Sequence, residues 1–561
     1  MTSFIMPFLD NLNDAVANSF VGRFFEFEKR GATFSKELAG ATATFLTLAY
    51  ILAVNPRILA DSGGPCVPDP ENGGIFGAAY EACLEDIKRE YITATAIGSM
   101  VGCLLMGLFA NLPIALAPGM GMNAYFTYSV VGWRGTGNVS YEAAVTAVMI
   151  EGAIFFVLAV TGARYAIVKL IPEPVRIATP AAIGAFLAHL GLQTAEGIGA
   201  VVSDIATAVT LGGCPEDKRT PIVAYDDLCK NAGICVFSDA YTCDVNGGVM
   251  TSGMTWVGLL GMMIIAIALA YKSNLAFVYG IGLVTFISWF RGTAITYFPD
   301  TDAGDDRFDY FKKVVDIAPL NLILTPFTSD LSGAGLALFT MLYVDFLDTS
   351  GTLLGLANSM GVIDDEGNFP KSRQAFAVDA FATMFGSIFG LSPITSYIES
   401  GSGVEAGAKT GLTAVICSFY FFISIFFAPI IASIPPWATG GALVVVGALM
   451  ARSLGKLQWN KVSHAVSAFL TVMIMPLTYS IAYGLIAGIG SYVVMEGTFL
   501  LLSFVGISKP VEGGPTSLAI GQSILHLHPE GKGDKFEDED EASTNEGEVA
   551  EAEDVAKEGL A

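Results

Sequence analysis

From about residue 39 to about residue 506, apolar runs of roughly twenty residues follow one another with only short interruptions. A bilayer core about 30 Å thick takes about 20 apolar residues per helical crossing, so this stretch has room for about 12 to 14 crossings. Backbone N–H and C=O groups find no water in lipid, and helices satisfy them internally. The chain therefore reads as an all-α polytopic membrane protein. With 53% hydrophobic and 15% charged residues and a mean hydropathy of +0.58, it is too apolar for a water-soluble protein of ordinary make-up.

Charge is distributed unevenly. Much of the net charge of −24 sits in the tail GDKFEDEDEASTNEGEVAEAEDVAKEGLA, which has too few apolar residues to fold and reads as a disordered solubilising tail. An acidic chain without a basic stripe offers nothing to a nucleic acid. MTSFIMPFLDNLNDAVANSFVGRFFEFEKR lacks the pattern of a cleavable signal peptide, so the first membrane helix is expected to serve as the targeting signal. If the N-terminus is cytoplasmic, an even number of crossings collects ARYAIVKLIPEPVR, YKSN, Lys371 to Arg373 and ARSLGKLQWNK on the same side, as the positive-inside rule asks. The C-terminus then lies there too. The opposite side receives Cys66 and Cys83 in one loop and Cys214, Cys229, Cys235 and Cys243 in another, an environment where disulfides persist, with pairings left open. The sequon at Asn138 falls on this side but close to the membrane.

Periodicity and breaker residues place helices at 39–59, 91–110, 112–133, 141–162, 177–195, 253–271, 274–292, 333–357, 375–391, 392–409, 411–434, 436–453, 463–482 and 484–506, with 196–212 as a candidate re-entrant piece. Two internal echoes recur in the same order. SMVGCLLMGLFANLPIA resembles TMFGSIFGLSPIT, and IPEPVRIATPAAIGAFLAHLGL resembles IPPWATGGALVVVGALMARSL. The offset is seven helices, and an odd number inverts the second copy, so two inverted repeats of seven segments are expected. The organisation becomes an N-terminus at 1–38, a first repeat at 39–295, a loop at 296–332, a second repeat at 333–506 and the tail at 507–561.

After the first echo in each half comes an interrupted segment: LPIALAPGMGMNAYF, with Pro113, Pro118, Gly119 and Gly121, and LSPITSYIESGSGVEAGAKTG, with Glu399 among Ser, Thr and Gly. Broken segments at corresponding positions point to a transporter binding site, because unwound backbone is tolerated in a membrane only around a protein-lined cavity. Carboxylates at membrane depth cost about 2.5 to 3.5 kcal/mol each and need a reason. Asp345, Asp348 and Glu399 combine depth with flanking Gly, Ser and Thr, whereas Glu151, Asp379 and Glu496 suit helix-to-helix hydrogen bonds. Asp345 and Asp348, three apart, share a helix face, and two like charges so close make proton uptake a candidate role. Carboxylates repel anions and accept from N–H donors, which suits a flat neutral heterocycle, a proton or Na⁺. Tyr125, Phe126 and Tyr397 are candidate stacking faces.

Other chemistries lack support. His189, His464, His526 and His528 show no metal-ligand spacing and there is no P-loop or CxxC pair, so neither metal nor cofactor is expected. His189, alone in AFLAHLGL, reads as a hydrogen-bonded packing residue. An intramembrane aspartyl enzyme would need two aspartates from facing helices, whereas Asp345 and Asp348 share one turn. A carrier of anions or of another small planar solute on the same fold remains the alternative.

TFLTLAYILAVNP, NLPIALAPGMGMNAYF, YVDFLDTSGTL, SYIESGSGVEAGAKTGLTA and MPLTYSIAYGLIAGIGSY resemble the signature blocks of the AzgA-like family of adenine, guanine and hypoxanthine permeases. The resemblance covers nearly the whole membrane region. It implies the uracil/xanthine permease fold: about fourteen segments in two inverted repeats, a core domain moving against a gate domain, and short strands in segments 3 and 10. It also implies proton-coupled uptake of purine nucleobases across the plasma membrane, and allows a homodimer. Carried over by motif, Asn123, Asp345, Asp348 and Glu399 match the polar positions the family needs for transport; Asn123, Asp348 and Glu399, with Tyr397 and the backbone near Ile398, are expected at the substrate. Asp345, Glu399 and Asp379 are expected in the proton-coupling or polar network. The chain departs from the family at Ala408 in GVEAGAKTGL, where a second glycine is more usual. Glu405 and Lys409 are expected at a solvated cytoplasmic exit.

Overall fold

A computed structural model of the chain describes residues 11–69, 74–75, 77–162, 172–193, 197–204, 208–211, 219–221, 241–243, 252–324, 327–363 and 369–505. The acidic tail, and the side chains of the four cysteines at 214, 229, 235 and 243, lie outside the described residues. Among the described residues, seven helices are long and apolar enough to cross a membrane, and three shorter apolar ones, Ala276–Ser288, Gly411–Phe426 and Val462–Thr478, accompany them. With the acid-bearing helices Ala334–Ser359 and Ser372–Ser387, and two broken segments, the order makes fourteen segments. Segment 1 is Phe34–Ala60 and segment 2 is Ala78–Ala110. Segments 4 to 7 are Tyr141–Thr161, Glu173–Leu192, Gly253–Ala270 and Ala276–Ser288. Segments 8 and 9 are the two acid-bearing helices, and segments 11 to 14 begin at Gly411, Pro436, Val462 and Ile481.

Three expected helices turn out otherwise. Segment 2 starts at Ala78 rather than near residue 91, because YEACLEDIKRE continues the helix above the apolar stretch. Residues 112–133 and 392–409 are not continuous helices. The first holds a strand at Leu116–Pro118 and a short helix at Met120–Ala124. The second holds a strand at Ile394–Ser396, a single 3₁₀ turn at Ile398–Ser400 and a short helix at Gly401–Glu405. The described part of 196–212 contains no re-entrant helix: Val201–Asp204 pairs antiparallel with Ala208–Leu211.

The strands of segments 3 and 10 pair antiparallel, Leu116 opposite Ser396, Ala117 opposite Thr395 and Pro118 opposite Ile394. Tyr397 N–H donates to the Ala115 carbonyl at 3.1 Å, and Gly119 N–H to the Pro393 carbonyl at 3.0 Å. Neighbouring helices complete the set. The Leu116 N–H reaches Cys103 Sγ at 3.3 Å, and Thr383 Oγ1 both accepts from Ile394 N–H and donates to its carbonyl. Backbone that would be prohibitively exposed in lipid is thus paired within the protein.

The internal echo is visible at these strands. Gly102 of SMVGC and Gly386 of TMFGS each lie beneath the strand of their own half: a Cβ on Gly102 would sit 3.0 Å from Leu116 Cβ, and one on Gly386 2.7 Å from Ile394 Cδ1. The helices fall into two packed groups. Segments 1 to 4 interlock with 8 to 11, and segments 5 to 7 with 12 to 14. In the second group the equivalent segments 5 and 12 touch backbone to backbone, since a Cβ on Gly447 would collide with the Gly184 carbonyl oxygen.

Buried acids fasten the two ends. Glu37 of segment 1 accepts from the N–H groups of Lys409 and Thr410 and from Thr413 Oγ1, and Arg30 donates to the carbonyls of Asn111 and Lys409. The end of segment 10 is therefore anchored, although the Glu405 and Lys409 side chains are exposed as expected. At the opposite end, Glu90 Oε2 receives three consecutive N–H groups, from Asn321, Leu322 and Ile323. Cys66 and Cys83 there form a disulfide, with Cα atoms 6.0 Å apart.

Two outcomes follow for protein purified in detergent. Gly447→Leu overpacks the contact between segments 5 and 12 and costs about 1 to 3 kcal/mol or more, read as a lowered thermal midpoint. Gly282→Ala, where nothing lies within 4 Å, does not lower the midpoint. Cys83→Ser opens a loop with a sequence separation of 17 and loses about 3 kcal/mol on the chain-entropy account, so the same assay shows a lower midpoint that reductant no longer shifts.

Candidate functional site

Segment 8 brings two acids to different places. A helix advances about 100° per residue, so residues three apart diverge by about 60°. Asp345 is fully buried and Asp348 half-buried. Segment 8 packs against the turn that carries Glu399, which brings the like charges of Asp348 and Glu399 near one another. Glu399, at the single 3₁₀ turn after the strand, is also half-buried, and next to it the Ile398 side chain is 54% exposed. The break in segment 10 thus projects one carboxylate out of the packed interior toward a second, with a hydrophobic side chain at the opening.

Tyr50 holds Glu399 in place. Its hydroxyl donates to Glu399 Oε1 at 3.0 Å, and its ring stacks on Phe277 with centroids 5.0 Å apart. Tyr50 lies where segment 1 is interrupted between Phe34–Leu48 and Ile51–Ala60, and Phe277 belongs to segment 7. The Glu399 carboxylate therefore sits at the seam between the two helix groups. Neither aromatic was singled out from sequence, although the turn at AYILAVNP carried the signal. Asn55 from the same block donates to the Pro118 carbonyl at 2.8 Å, joined there by the Tyr397 hydroxyl at 2.6 Å.

The expected stacking faces are placed differently. Phe126 is completely buried, edge-on to Tyr141. Tyr125 is 3% exposed, and Tyr397, 5% exposed, spends its hydroxyl on Pro118. All three act as packing in this structure: Tyr125 and Phe126, in the helical stretch Tyr125–Val131, are turned into the core, and Tyr397 is buried beside the strand of segment 10. Asn123 is fully buried, its Oδ1 accepting from Ser392 Oγ while its Nδ2 has no partner among the described residues. It lies at the Pro118–Ile394 end of the strand pair, whereas Glu399 follows the Ser396 end.

Behind the strands is a second polar layer. Thr349 Oγ1 donates to Asp379 Oδ2 at 2.7 Å and lies 2.9 Å from Thr395 Oγ1 and 3.4 Å from Asp345 Oδ1. Ser396 Oγ donates to Asp379 Oδ1 at 2.9 Å. Asp379, assigned from sequence to a helix-to-helix bond or to the polar network, is thereby tied to the strand of segment 10. Glu496 does make the helix-to-helix bond, accepting from Ser463 Oγ at 2.7 Å. His189 is within 3.0 Å of Gln193 Nε2 and packs edge-on to Tyr479. Among the described residues no group of His, Cys, Asp and Glu side chains could hold a metal ion.

Chemically, the arrangement offers carboxylate acceptors at a seam between two helix groups. It suits recognition and passage of a solute. The Permease family model (Xan_ur_permease) matches residues 73–212 and 233–486. The chain is 35% identical over 468 residues to the guanine/hypoxanthine permease PbuG of Bacillus subtilis, covering 83% of this chain and 91% of that protein. It is 31% identical over 479 residues to the adenine permease AdeP of Escherichia coli, covering 84% and 90%. It is also 42% identical over 501 residues to a protein named efflux pump notK' of Aspergillus versicolor, covering 86% and 84%. Fourteen segments with paired strands in the two broken ones, and a model match over most of their length, make the chain a member of the Permease family, a polytopic membrane transporter and not an enzyme.

Proposed function

We propose that the protein is a proton-coupled symporter that takes up the purine nucleobases adenine, guanine and hypoxanthine across the plasma membrane by an elevator-type alternating access. The observation that carries this reading is the neighbouring pair Asp348 and Glu399, two half-buried carboxylates on a helix and a turn that pack together, with Tyr50 bonded to Glu399. A purine presents N–H donors along one edge, and two carboxylate acceptors complement them. Relatives named for guanine, hypoxanthine and adenine support the same solute class. An anion is disfavoured at this pair, since both groups carry the wrong sign.

In this mechanism the Tyr50 hydroxyl orients Glu399, Asp348 accepts a second purine N–H, and the backbone near Ile398 shapes the rest of the edge, while Tyr397 and Asn123, both buried, hold segments 3 and 10 together behind it. Segments 1 to 4 and 8 to 11 form the moving core, and segments 5 to 7 and 12 to 14 the gate. Phe277 is then the gate residue against which the core slides. Both termini lie in the cytoplasm, the first repeat runs 39–295 and the second 333–506. The relative named an efflux pump makes direction a matter for measurement: a gradient-driven carrier runs either way.

Uptake of radiolabelled hypoxanthine by cells expressing the protein tests the site. A hydrogen bond to a charged group is worth about 1.5 to 3 kcal/mol, about tenfold to a hundredfold in affinity. Glu399→Ala and Asp348→Ala should each raise KM or abolish uptake on that scale, while unlabelled adenine and guanine compete in the unmodified protein and sulfate does not. Tyr50→Phe keeps the stacked ring and loses only the donor, so it should raise KM less than Glu399→Ala. Undiminished uptake in both carboxylate variants would remove the site.

A further inference from the structure

Buried acids in this chain are ordinarily well served. Glu37 takes two N–H groups and a hydroxyl, Glu90 three N–H groups, and Asp379 two hydroxyls. Glu151 of segment 4 breaks this pattern. It is 0% exposed, and neither of its carboxyl oxygens receives a hydrogen bond from any described donor; Asp345 Oδ2 is equally without one. The two carboxyl groups nonetheless lie within hydrogen-bonding reach of each other. The surroundings are closely packed: a Cβ on the adjacent Gly152 would meet the Ala380 carbonyl at 3.1 Å, and Phe155 packs edge-on against Phe346 and Phe376.

Ionised carboxylates are acceptors only. Two of them side by side in a closely packed site have no donor between them, and each unpaired buried charge costs several kcal/mol. One proton removes both difficulties, because a carboxylic acid donates to its neighbour.

We propose that Glu151 and Asp345 share a single proton, and that this pair is where the coupling proton is held during transport. The inference rests on the proton-coupled reading above and adds to it a residue that does not touch the solute. The charged groups facing the pair are all acids, Asp379 opposite both and Asp348 beside Asp345. Among the described residues no ion pair includes any of the four. The proton is therefore the counter-charge. It arrives from water on the outer side, forms an O–H bond at one of the two carboxyls, and leaves to water on the inner side, one per cycle with no other reactant.

Thr349 carries the state of the pair to the solute. Its single hydroxyl hydrogen is given to Asp379, yet Asp345 Oδ1 and Thr395 Oγ1 are both near. Loss of the shared proton leaves Asp345 charged and draws that hydrogen away from Asp379. The change reaches Thr395 in the strand that leads directly to Tyr397 and Glu399.

The test uses the full chain in liposomes with radiolabelled hypoxanthine, measured as exchange at equal pH and as accumulation driven by a pH gradient. Glu151→Gln should retain exchange, lose about tenfold or more of the driven accumulation and flatten its pH profile. Glu151→Asp should restore driven accumulation with a displaced profile. Driven accumulation in Glu151→Gln with an unaltered profile overturns the pair and leaves purine symport standing. An unmodified protein that exchanges hypoxanthine but ignores the gradient overturns the proton-coupled reading itself. Should Glu151→Gln not fold, infrared difference spectra of the unmodified protein decide. A protonated-carboxyl C=O band that shifts in D₂O and responds to hypoxanthine supports the pair, and its absence overturns it.

Discussion

Six residues of β-structure, buried inside a helical membrane protein, determine where everything else can go. The backbone of segments 3 and 10 leaves the helical path, and lipid offers no partner for the groups so released. Leu116–Pro118 and Ile394–Ser396 therefore have to find each other, and Cys103, Thr383, Asn55, Ser400 and Tyr397 supply the bonds that the short ladder lacks. That requirement brings the two halves of the chain together. It also fixes the turn after Ser396 that lifts Glu399 out of the packed interior.

The two acids of segment 8 show how little distance is needed to separate two tasks. One turn of helix sends Asp348 toward Glu399 and the seam between the helix groups, and Asp345 toward Glu151 and the closed interior. Thr349, one turn on from Asp345, contacts Asp345, Asp379 and Thr395 of the strand. Under the proposed function, solute recognition and charge compensation then fall to residues three apart on one helix.

Apolar runs, breaker residues and the repeated SMVGC and TMFGS blocks made the number of segments and the positions of the two broken ones legible in the sequence. Helix periodicity has no symbol for a strand in lipid, so the paired strands came only through family resemblance. The site was legible at its carboxylates, because an acid in an apolar run stands out. Tyr50 and Phe277 were not, since an aromatic residue in a membrane helix looks the same whether it packs, stacks or orients a carboxylate. Glu151 looked like an ordinary interhelical polar residue; only the absence of any described donor around both its oxygens distinguishes it from Glu496, which has Ser463.

The glycine contacts between segments 5 and 12 bear on how the two repeats can change over time. Gly184 meets Gly447, and Gly191 meets Gly440, with carbonyl oxygens where any larger side chain would stand. Each half supplies the partner for the other half's glycine at an equivalent place. A larger residue in either half is felt by both, so along that one crossing neither half has room for bulk unless the other gives way.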